Sequence, residues 1–448
     1  MSRLSARETA LDLLLSIAKN KSYSPLALND VLSVTELADR DKALVTTLVY
    51  GVLQHSLTLD YILKLYTSGK APDLWVDLLL RLSLYQKIYL DRIPDHAIVN
   101  EAVRIAGRRG HKGIAGFVNA VLRRFLREGI PDLSEIRPES KRLSIQYSHP
   151  EWLLSLWTEQ WSSEVAVRIA ENDNQAPPTF VRVNQLRSGR RELAALLEQD
   201  GLQTEPGTLS PDCLEISGGH IAGSQAFKKG LMTIQDQSSM LVADAVAPQE
   251  GMTVLDACAG PGGKTTHLGE RMNNSGKIIA LDLHEHKTKL IDQSAQRLGV
   301  TNIETIAMDA RKAASSFKPA SFDRLLLDVP CSGLGVIRRK PEIRWDKSVT
   351  DLKNLADVQT ALLERTSVLV RPGGWLIYST CTLNRDENDR RLTAFLSRHS
   401  DFEWEPEFFL RLPEALKGCR VTPDSSMIQL FPFQFGTDGF FIGCLRRK

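Results

Sequence analysis

The chain has 448 residues, enough for two or three domains that each bury a core of their own. Its 56 basic and 54 acidic residues leave a formal net charge of +2, so global charge points to no nucleic-acid partner and only a local patch would. The six cysteines (Cys213, Cys258, Cys331, Cys381, Cys419 and Cys444) form no CxxC pair and no zinc-like spacing, which predicts no metal and leaves single thiols free for chemistry in a reducing compartment.

The opening residues, Met1-Ser2-Arg3-Leu4-Ser5-Ala6-Arg7-Glu8, lack the apolar core of a signal peptide. No apolar run approaches the ~20 residues that cross a membrane, so a cytoplasmic chain without a membrane partner is expected. Residues 5–130 then show helical spacing of apolar positions and little strand signal. Trp75 to Leu90 is one such helix, and Pro94-Asp95 starts another. Between Arg104 and Arg127 stand seven basic residues and no acid, interrupted by Gly107, Gly110, Gly113 and Gly116, which predicts a turn between two helices. An acid-free stretch makes few local salt bridges and suits phosphates. Leu84-Tyr85-Gln86, Ile93-Pro94, Ala97 to Val103 and Gly116 to Arg123 resemble the NusB family of small helical RNA-binding proteins, over roughly residues 5–128. The resemblance implies an RNA-docking module; the basic stretch offers Arg104, Arg108, Arg109, Lys112, Arg123 and Arg124 as phosphate contacts, or is a solvated helical face.

Residues 131–148, with Pro131 and Arg137-Pro138-Glu139, read as a linker. His149-Pro150-Glu151-Trp152 opens a helix to about Trp161, with His149 expected to cap or pack. Thr179 to Asn184 alternates as a half-buried strand, a helix follows at Arg191–Glu198, and Cys213 to Ile216 is a second strand. This small β-α-β succession suggests a partial RRM-like platform, on which Arg182 and Asn184 are either RNA contacts or simply an exposed strand face. Ser238 and Ser239 suit the N-cap of the next helix.

From about Gly251 strands and helices alternate, which predicts a parallel sheet covered on both faces. The first strand, Thr253 to Ala257, runs into the glycine-rich turn Cys258-Ala259-Gly260-Pro261-Gly262-Gly263-Lys264. The following strands end in Asp282, Asp309, Asp328 and Cys381. Ligands of open α/β sheets bind at that carboxyl edge. The turn matches neither the dinucleotide fingerprint, since Thr265 holds the third glycine position, nor a P-loop, which needs glycine at Cys258. An adenosyl ligand without phosphates fits better, with Asp282 for the ribose hydroxyls, Asp309 near the adenine and carboxylates tolerated by a sulfonium; the alternative for each acid is an N-cap after its strand. In Asp328-Val329-Pro330-Cys331-Ser332-Gly333 the thiol is a candidate nucleophile with Asp328 as partner, or a buried inert cysteine. Arg338, Arg339 and Lys340, with Arg344-Trp345, follow that loop and read as RNA-backbone contacts plus a stacking ring, or as a solvated loop with a packed tryptophan.

Taken together, Cys258 to Thr265, Asp282, Asp309, Asp328 to Gly335, Ser379-Thr380-Cys381-Thr382 and Gly436 to Phe441 resemble the Sun/Fmu family of RNA cytosine-C5 methyltransferases, within the Nol/Nop/Sun group. Fused behind a NusB-like region, the pattern is similar to bacterial members acting on 16S rRNA. The resemblance implies S-adenosyl-L-methionine as cofactor, bound by Cys258, Ala259, Gly260, Pro261, Gly262, Gly263, Lys264, Asp282, Asp309 and Asp328. It implies Cys381 as nucleophile, Cys331 as the thiol of product release, and Asp328 with Lys264 orienting the cytosine and stabilising charge. Residues 1–140, 141–236 and 237–448 are accordingly read as an all-α NusB-like domain, a linker with a small α+β RRM-like connector, and an α/β class I Rossmann-like catalytic domain. A monomer with an RNA substrate is expected. The same chemistry on tRNA, and a non-catalytic RNA-binding assembly factor, are the competing readings.

Overall fold

The computed structural model describes residues 5–20, 31–32, 35–67, 72–219 and 221–448, so the first four of the eight residues on which the signal-peptide reading rests lie outside it. Two compact units emerge. One comprises Met1–Gln175 with Ile337–Asp346, the other Ala176–Val336 with Lys347–Lys448.

The first unit is helical. Helix Leu74–Tyr89 is apolar on nearly every side and buries Leu78, Leu79, Leu80, Leu82 and Leu84, which makes it the centre of the bundle. A Cβ at Gly51 would overlap the Tyr85 ring, so the glycine lets helix Asp39–Gln54 approach that central helix closely. The expected turn in the basic stretch lies at Gly110-His111, where His111 Nδ1 accepts from Gly113 N–H to cap helix Lys112–Glu128. Residues 131–148 are not a linker. They hold a 3-10 turn at Leu133–Glu135 and helix Glu139–Tyr147, tied down by Thr58 Oγ1 donating to Ile145 O and by Leu57 N–H donating to Ser148 Oγ at 3.0 Å. The compact helical unit runs on to Gln175. His149 packs as expected, buried between Tyr147 O at 2.7 Å and Asp173 at 3.2 Å.

Residues Ile337–Asp346, which follow the Cys331 loop in the chain, belong to this helical unit. Arg344 is fully buried there and donates to Gln54 O, Ser148 O and Asp173 O at 2.6–3.0 Å. The expectation that Arg344 meets RNA is thus corrected, because backbone carbonyls already occupy its guanidinium. Trp345 beside it is 37% exposed.

The second unit holds two sheets. Strands β1 (Thr179–Val183), β2 (Gln203–Pro206), β3 (Cys213–Ser217) and β4 (Met232–Ile234) form an antiparallel sheet in the order β2-β3-β1-β4. The larger sheet contains β5 (Thr253–Asp256), β6 (Lys277–Asp282), β7 (Ile303–Ala307), β8 (Phe322–Asp328), β9 (Val370–Thr380), β10 (Phe402–Trp404), β11 (Met427–Leu430) and β12 (Phe440–Arg447). Its order is β10-β12-β9-β8-β5-β6-β7, with β11 paired to β12. Strands β5 to β9 run parallel, as their uninterrupted apolar runs predict, while β12 is antiparallel to β9. Strand order reverses between β5 and β8, which opens a crevice at their carboxyl ends.

Arg182 and Asn184 are neither exposed nor available to RNA. Both are buried, against the two readings weighed for them. Arg182 pairs with Glu270 at 2.7 Å and donates to Gly263 O at 2.6 Å, so the small sheet buttresses the helix that follows the glycine-rich turn. Asn184 donates to Gly230 O and Leu298 O. Removing one member of a buried ion pair strands the other charge. Arg182→Ala should therefore cost about 3–5 kcal/mol in urea unfolding; a loss below 1 kcal/mol would contradict this buttressing role.

Candidate functional site

The site is built where β5, β8 and β9 end. After Asp256 the chain turns through Ala257 to Gly262 into helix Gly263–Arg271. Backbone N–H groups pin the turn to both neighbouring strands, Ala257 to Leu326 O at 2.9 Å and Ala259 to Leu281 O at 2.8 Å. Gly260 N–H donates to Asp282 Oδ2 at 3.1 Å, and a Cβ at Gly260 would collide with that oxygen. Only glycine permits this approach.

At the centre Asp328 accepts two hydrogen bonds, from Lys264 Nζ on Oδ2 and from Ser379 Oγ on Oδ1, each at 2.7 Å. Burial alone would lower the Lys264 pKa, but the Asp328 carboxylate outweighs it and raises it, so the ammonium stays charged. Cys331 Sγ lies 3.4 Å from Cys381 Sγ. The hydrogen bond to Cys381, then burial, then the nearby charges of Cys381, Glu387 and Asp328 push the Cys331 thiol well up. Burial does the same to Cys258.

A cleft of about 290 Å³ opens here, lined by Cys258, Ala259, Gly260, Pro261, Gly263, Lys264, Asp328 and Cys381. Gln235, Asp236, Ser238, Ser239, Asp256, Val336, Asp438 and Phe440 complete the lining. Eight of the residues singled out in the sequence thus meet in one place. Cys331 lies off the lining, as do Gly262, Asp282 and Asp309. Asp282 is buried against Gly260. Asp309 caps the 3-10 turn Ala310–Ser315 and pairs with Arg311 at 2.7 Å.

Several lining groups escaped the sequence reading. Asp236, not Ser238 or Ser239, is the N-cap of helix Gln237–Val246, and its Oδ1 also accepts from Thr437 Oγ1 and Asp438 N–H. The motif at Gly436 to Phe441 was visible, but its meeting with Asp236 joins residues about two hundred positions apart. Asp256 accepts from Thr265 Oγ1 at 2.7 Å, while its buried Oδ1 has no partner among the protein groups. Burial, with the charge of Asp328 adding to it, pushes the Asp256 carboxyl up to about 7. The folded chain then keeps a proton that the unfolded chain releases near pH 4, and the resulting stability is lost as pH rises from about 4 to about 7. Asp256→Asn should show a smaller fall in Tm between pH 5 and pH 8 than the unsubstituted chain in scanning calorimetry. Equal falls would contradict the assignment.

The expected RNA-contact residues lie in the helical unit. Arg108 pairs with Glu8, Arg109 with Asp12, Arg104 with Glu101 and Arg124 with Glu128, while Arg123 donates to Asn119. The premise that this stretch makes few salt bridges is therefore corrected: acids from an earlier helix and from its own flanks reach it. Lys112 is exposed. Arg338 is only 2% exposed, and its Nη1 lies 3.5 Å from Asn172 Oδ1, which corrects its placement as a surface RNA contact; Arg339 is half-buried.

A glycine cradle beside a cleft lined by Asp236, Asp256, Asp328 and Asp438 suits an adenosyl ligand that carries positive charge and no phosphate. No helix among the described residues is long and apolar enough to cross a membrane.

Comparison with known proteins bears on this geometry. Residues 243–446 match the family model described as 16S rRNA methyltransferase RsmB/F, residues 4–127 the NusB family, and residues 149–220 the ferredoxin-like domain of RsmF/B-like methyltransferases. A curated relative from Bacillus subtilis, "Probable ribosomal RNA small subunit methyltransferase B", is 46% identical over the full length of both chains. The Escherichia coli "Ribosomal RNA small subunit methyltransferase B" is 34% identical over 92% of each. A solved methyltransferase homolog protein from Pyrococcus horikoshii, 28% identical, aligns with a TM-score of 0.59 over 70% of this chain and 100% of its own.

Proposed function

The chain belongs to the RsmB/F family of 16S rRNA methyltransferases, which use S-adenosylmethionine, and we propose that it methylates C5 of one cytosine in 16S rRNA through a covalent adduct at C6. What supports this reading is one observation: Cys381 lines the cleft with the Asp328–Lys264 pair, and a second thiol lies 3.4 Å from it.

C5 of cytosine is too weak a nucleophile to be methylated unaided. Addition of Cys381 Sγ to C6 makes C5 enamine-like. When bound, S-adenosylmethionine would supply an electrophilic methyl, its S–CH₃ bond breaking to leave a neutral thioether as the methyl passes to C5. Loss of the C5 proton then expels the Cys381 thiolate, re-forms the C5–C6 double bond and restores the ring, with Cys331 assisting release. Lys264, kept charged by Asp328, favours the thiolate form of Cys381. Asp328 orients the base through its N3–N4 edge, where charge develops on addition. The cytosine must leave its stack to arrive, at a cost of a few kcal/mol. Cys258 to Gly263, with Lys264, would hold the cofactor at the turn after β5; Asp282 and Asp309 would serve its ribose and adenine from the ends of β6 and β7. Lys112, which is exposed, and Arg123, which donates to Asn119, are the best placed of the expected RNA contacts on the basic stretch, since Arg104, Arg108, Arg109 and Arg124 share their charge with acids.

Bisulfite sequencing of 16S rRNA and tRNA from a deletion strain and its complemented partner tests the proposal. Loss of one protected cytosine in 16S rRNA, restored by the gene, is expected. Loss confined to tRNA, or an unchanged map, would overturn it.

A further inference from the structure

The two thiols sit on different loops, and the catalytic reading gives neither loop a reason to hold its place. Cys331 follows β8 and Cys381 follows β9, fifty residues later. Gly335 N–H of the first loop donates to Cys381 O at 2.9 Å, and one buried carboxylate bonds to both loops at once. Glu387 is completely buried, and each of its oxygens is occupied. Oε2 accepts from Ser332 N–H and Gln359 Nε2, both at 2.9 Å. Oε1 accepts from Ser332 Oγ at 2.5 Å, Asn384 Nδ2 at 3.1 Å and Thr382 Oγ1 at 3.4 Å.

Ser332 is the residue after Cys331, and Thr382 the residue after Cys381. Their hydroxyls also touch each other at 2.7 Å. Gln359 carries the link backward, since its Nε2 also donates to Pro330 O at 3.0 Å, on the other side of Cys331. The backbone of Glu387 is itself fixed, because Tyr378 Oη donates to its carbonyl at 2.7 Å. Its neighbour Asn388 donates to Thr382 O at 2.9 Å. Burying a carboxylate costs several kcal/mol, and apolar packing of equal volume often serves stability as well or better. A fully occupied buried acid between two loops is better explained by the geometry it imposes.

We propose that Glu387 is a positioning residue that sets the separation of the two thiols, clamping the Cys331 loop to the Cys381 loop through Ser332 and Thr382. It touches no reacting atom. The consequence for catalysis rests on the thiol-adduct reading above, but the clamp itself does not.

The experiment separates the two. With no RNA present, diamide takes two electrons and two protons from a close thiol pair, leaving a disulfide and the reduced hydrazine, so the rate of Cys331–Cys381 closure acts as a ruler. It is read as the loss of two free thiols and by peptide mass. Glu387→Gln keeps the shape but turns one acceptor into a donor facing Ser332 or its neighbours. Closure should slow by about tenfold or more, with Tm within a few degrees and S-adenosylmethionine affinity within about threefold of the unsubstituted chain. In the methylation assay kcat should fall about 100-fold, the size expected of a reacting group displaced by about 1 Å, with KM for RNA little changed. Should Glu387→Gln not fold, Ser332→Ala, which removes the hydroxyl link alone, is read in the same way.

Unchanged closure in both variants would overturn the clamp whatever the methylation assay shows. Slowed closure with unchanged kcat would sustain the clamp and count instead against the adduct chemistry. A fall in cofactor affinity that matches the fall in kcat would overturn the positioning role in favour of a general structural one.

Discussion

Cys381→Ala should abolish methyl transfer, with a loss of at least about 10⁴-fold, while cofactor binding is retained. The expectation follows from the division of labour in the cleft. The glycine-rich turn is held by Ala257 N–H to β8, Ala259 N–H to β6 and Gly260 N–H to the Asp282 carboxylate, none of which involves Cys381. Removing the thiol therefore leaves the cofactor site standing and takes away the group that activates C5. Deleting a nucleophile that acts as one unit with its partners commonly costs as much as deleting the whole unit. Single-turnover transfer of labelled methyl to 16S rRNA, with cofactor binding measured by calorimetry, checks both halves. Residual activity within 100-fold would remove Cys381 from the role proposed for it.

Asp328→Asn should be nearly as severe. One carboxylate oxygen holds Lys264 and the other holds Ser379, so the side chain fixes both a cation and the end of β9. The amide presents its oxygen to only one of them and sets an N–H₂ group against the other donor. It also removes the charge that keeps Lys264 protonated. We expect kcat/KM to fall by about 10²–10⁴-fold, the range for a group that both orients and stabilises developing charge. Steady-state methylation of 16S rRNA measures it. A change of less than threefold would show that the pair is incidental to the reaction.

Much of this site was legible in the sequence because it is written on strand ends. Parallel strands buried on both faces announce themselves as short apolar runs, and the residue after each run lands on one edge of the sheet. That rule alone found Asp282, Asp309, Asp328 and Cys381, and the glycine-rich turn marked the entry to the cleft. It does not separate residues that line the cleft from residues that lie off its lining, such as Asp309, which also caps Ala310–Ser315.

What stayed hidden depends on partners distant in sequence. Arg182 looked like an exposed strand residue because nothing near it in the chain is acidic, yet Glu270 waits 88 positions on. Arg344 beside Trp345 looked like a stacking pair, and its guanidinium is instead spent on three buried carbonyls. The basic stretch after Arg104 failed in the same manner, since Glu8 and Asp12 belong to a helix about a hundred residues earlier. Glu387 carries no signal of its own beyond being an acid. Its role emerges only when the loops after β8 and β9 are brought side by side.

The order of the two thiols is the most exposed part of this account, and one trapping experiment addresses it. Cys331→Ala and Cys381→Ala are each incubated with 16S rRNA and S-adenosylmethionine, denatured, and resolved for RNA-linked protein. Cys331→Ala should accumulate an adduct that survives denaturation and maps to Cys381, while Cys381→Ala should give none. An adduct in Cys381→Ala that maps to Cys331 would reverse the assignment.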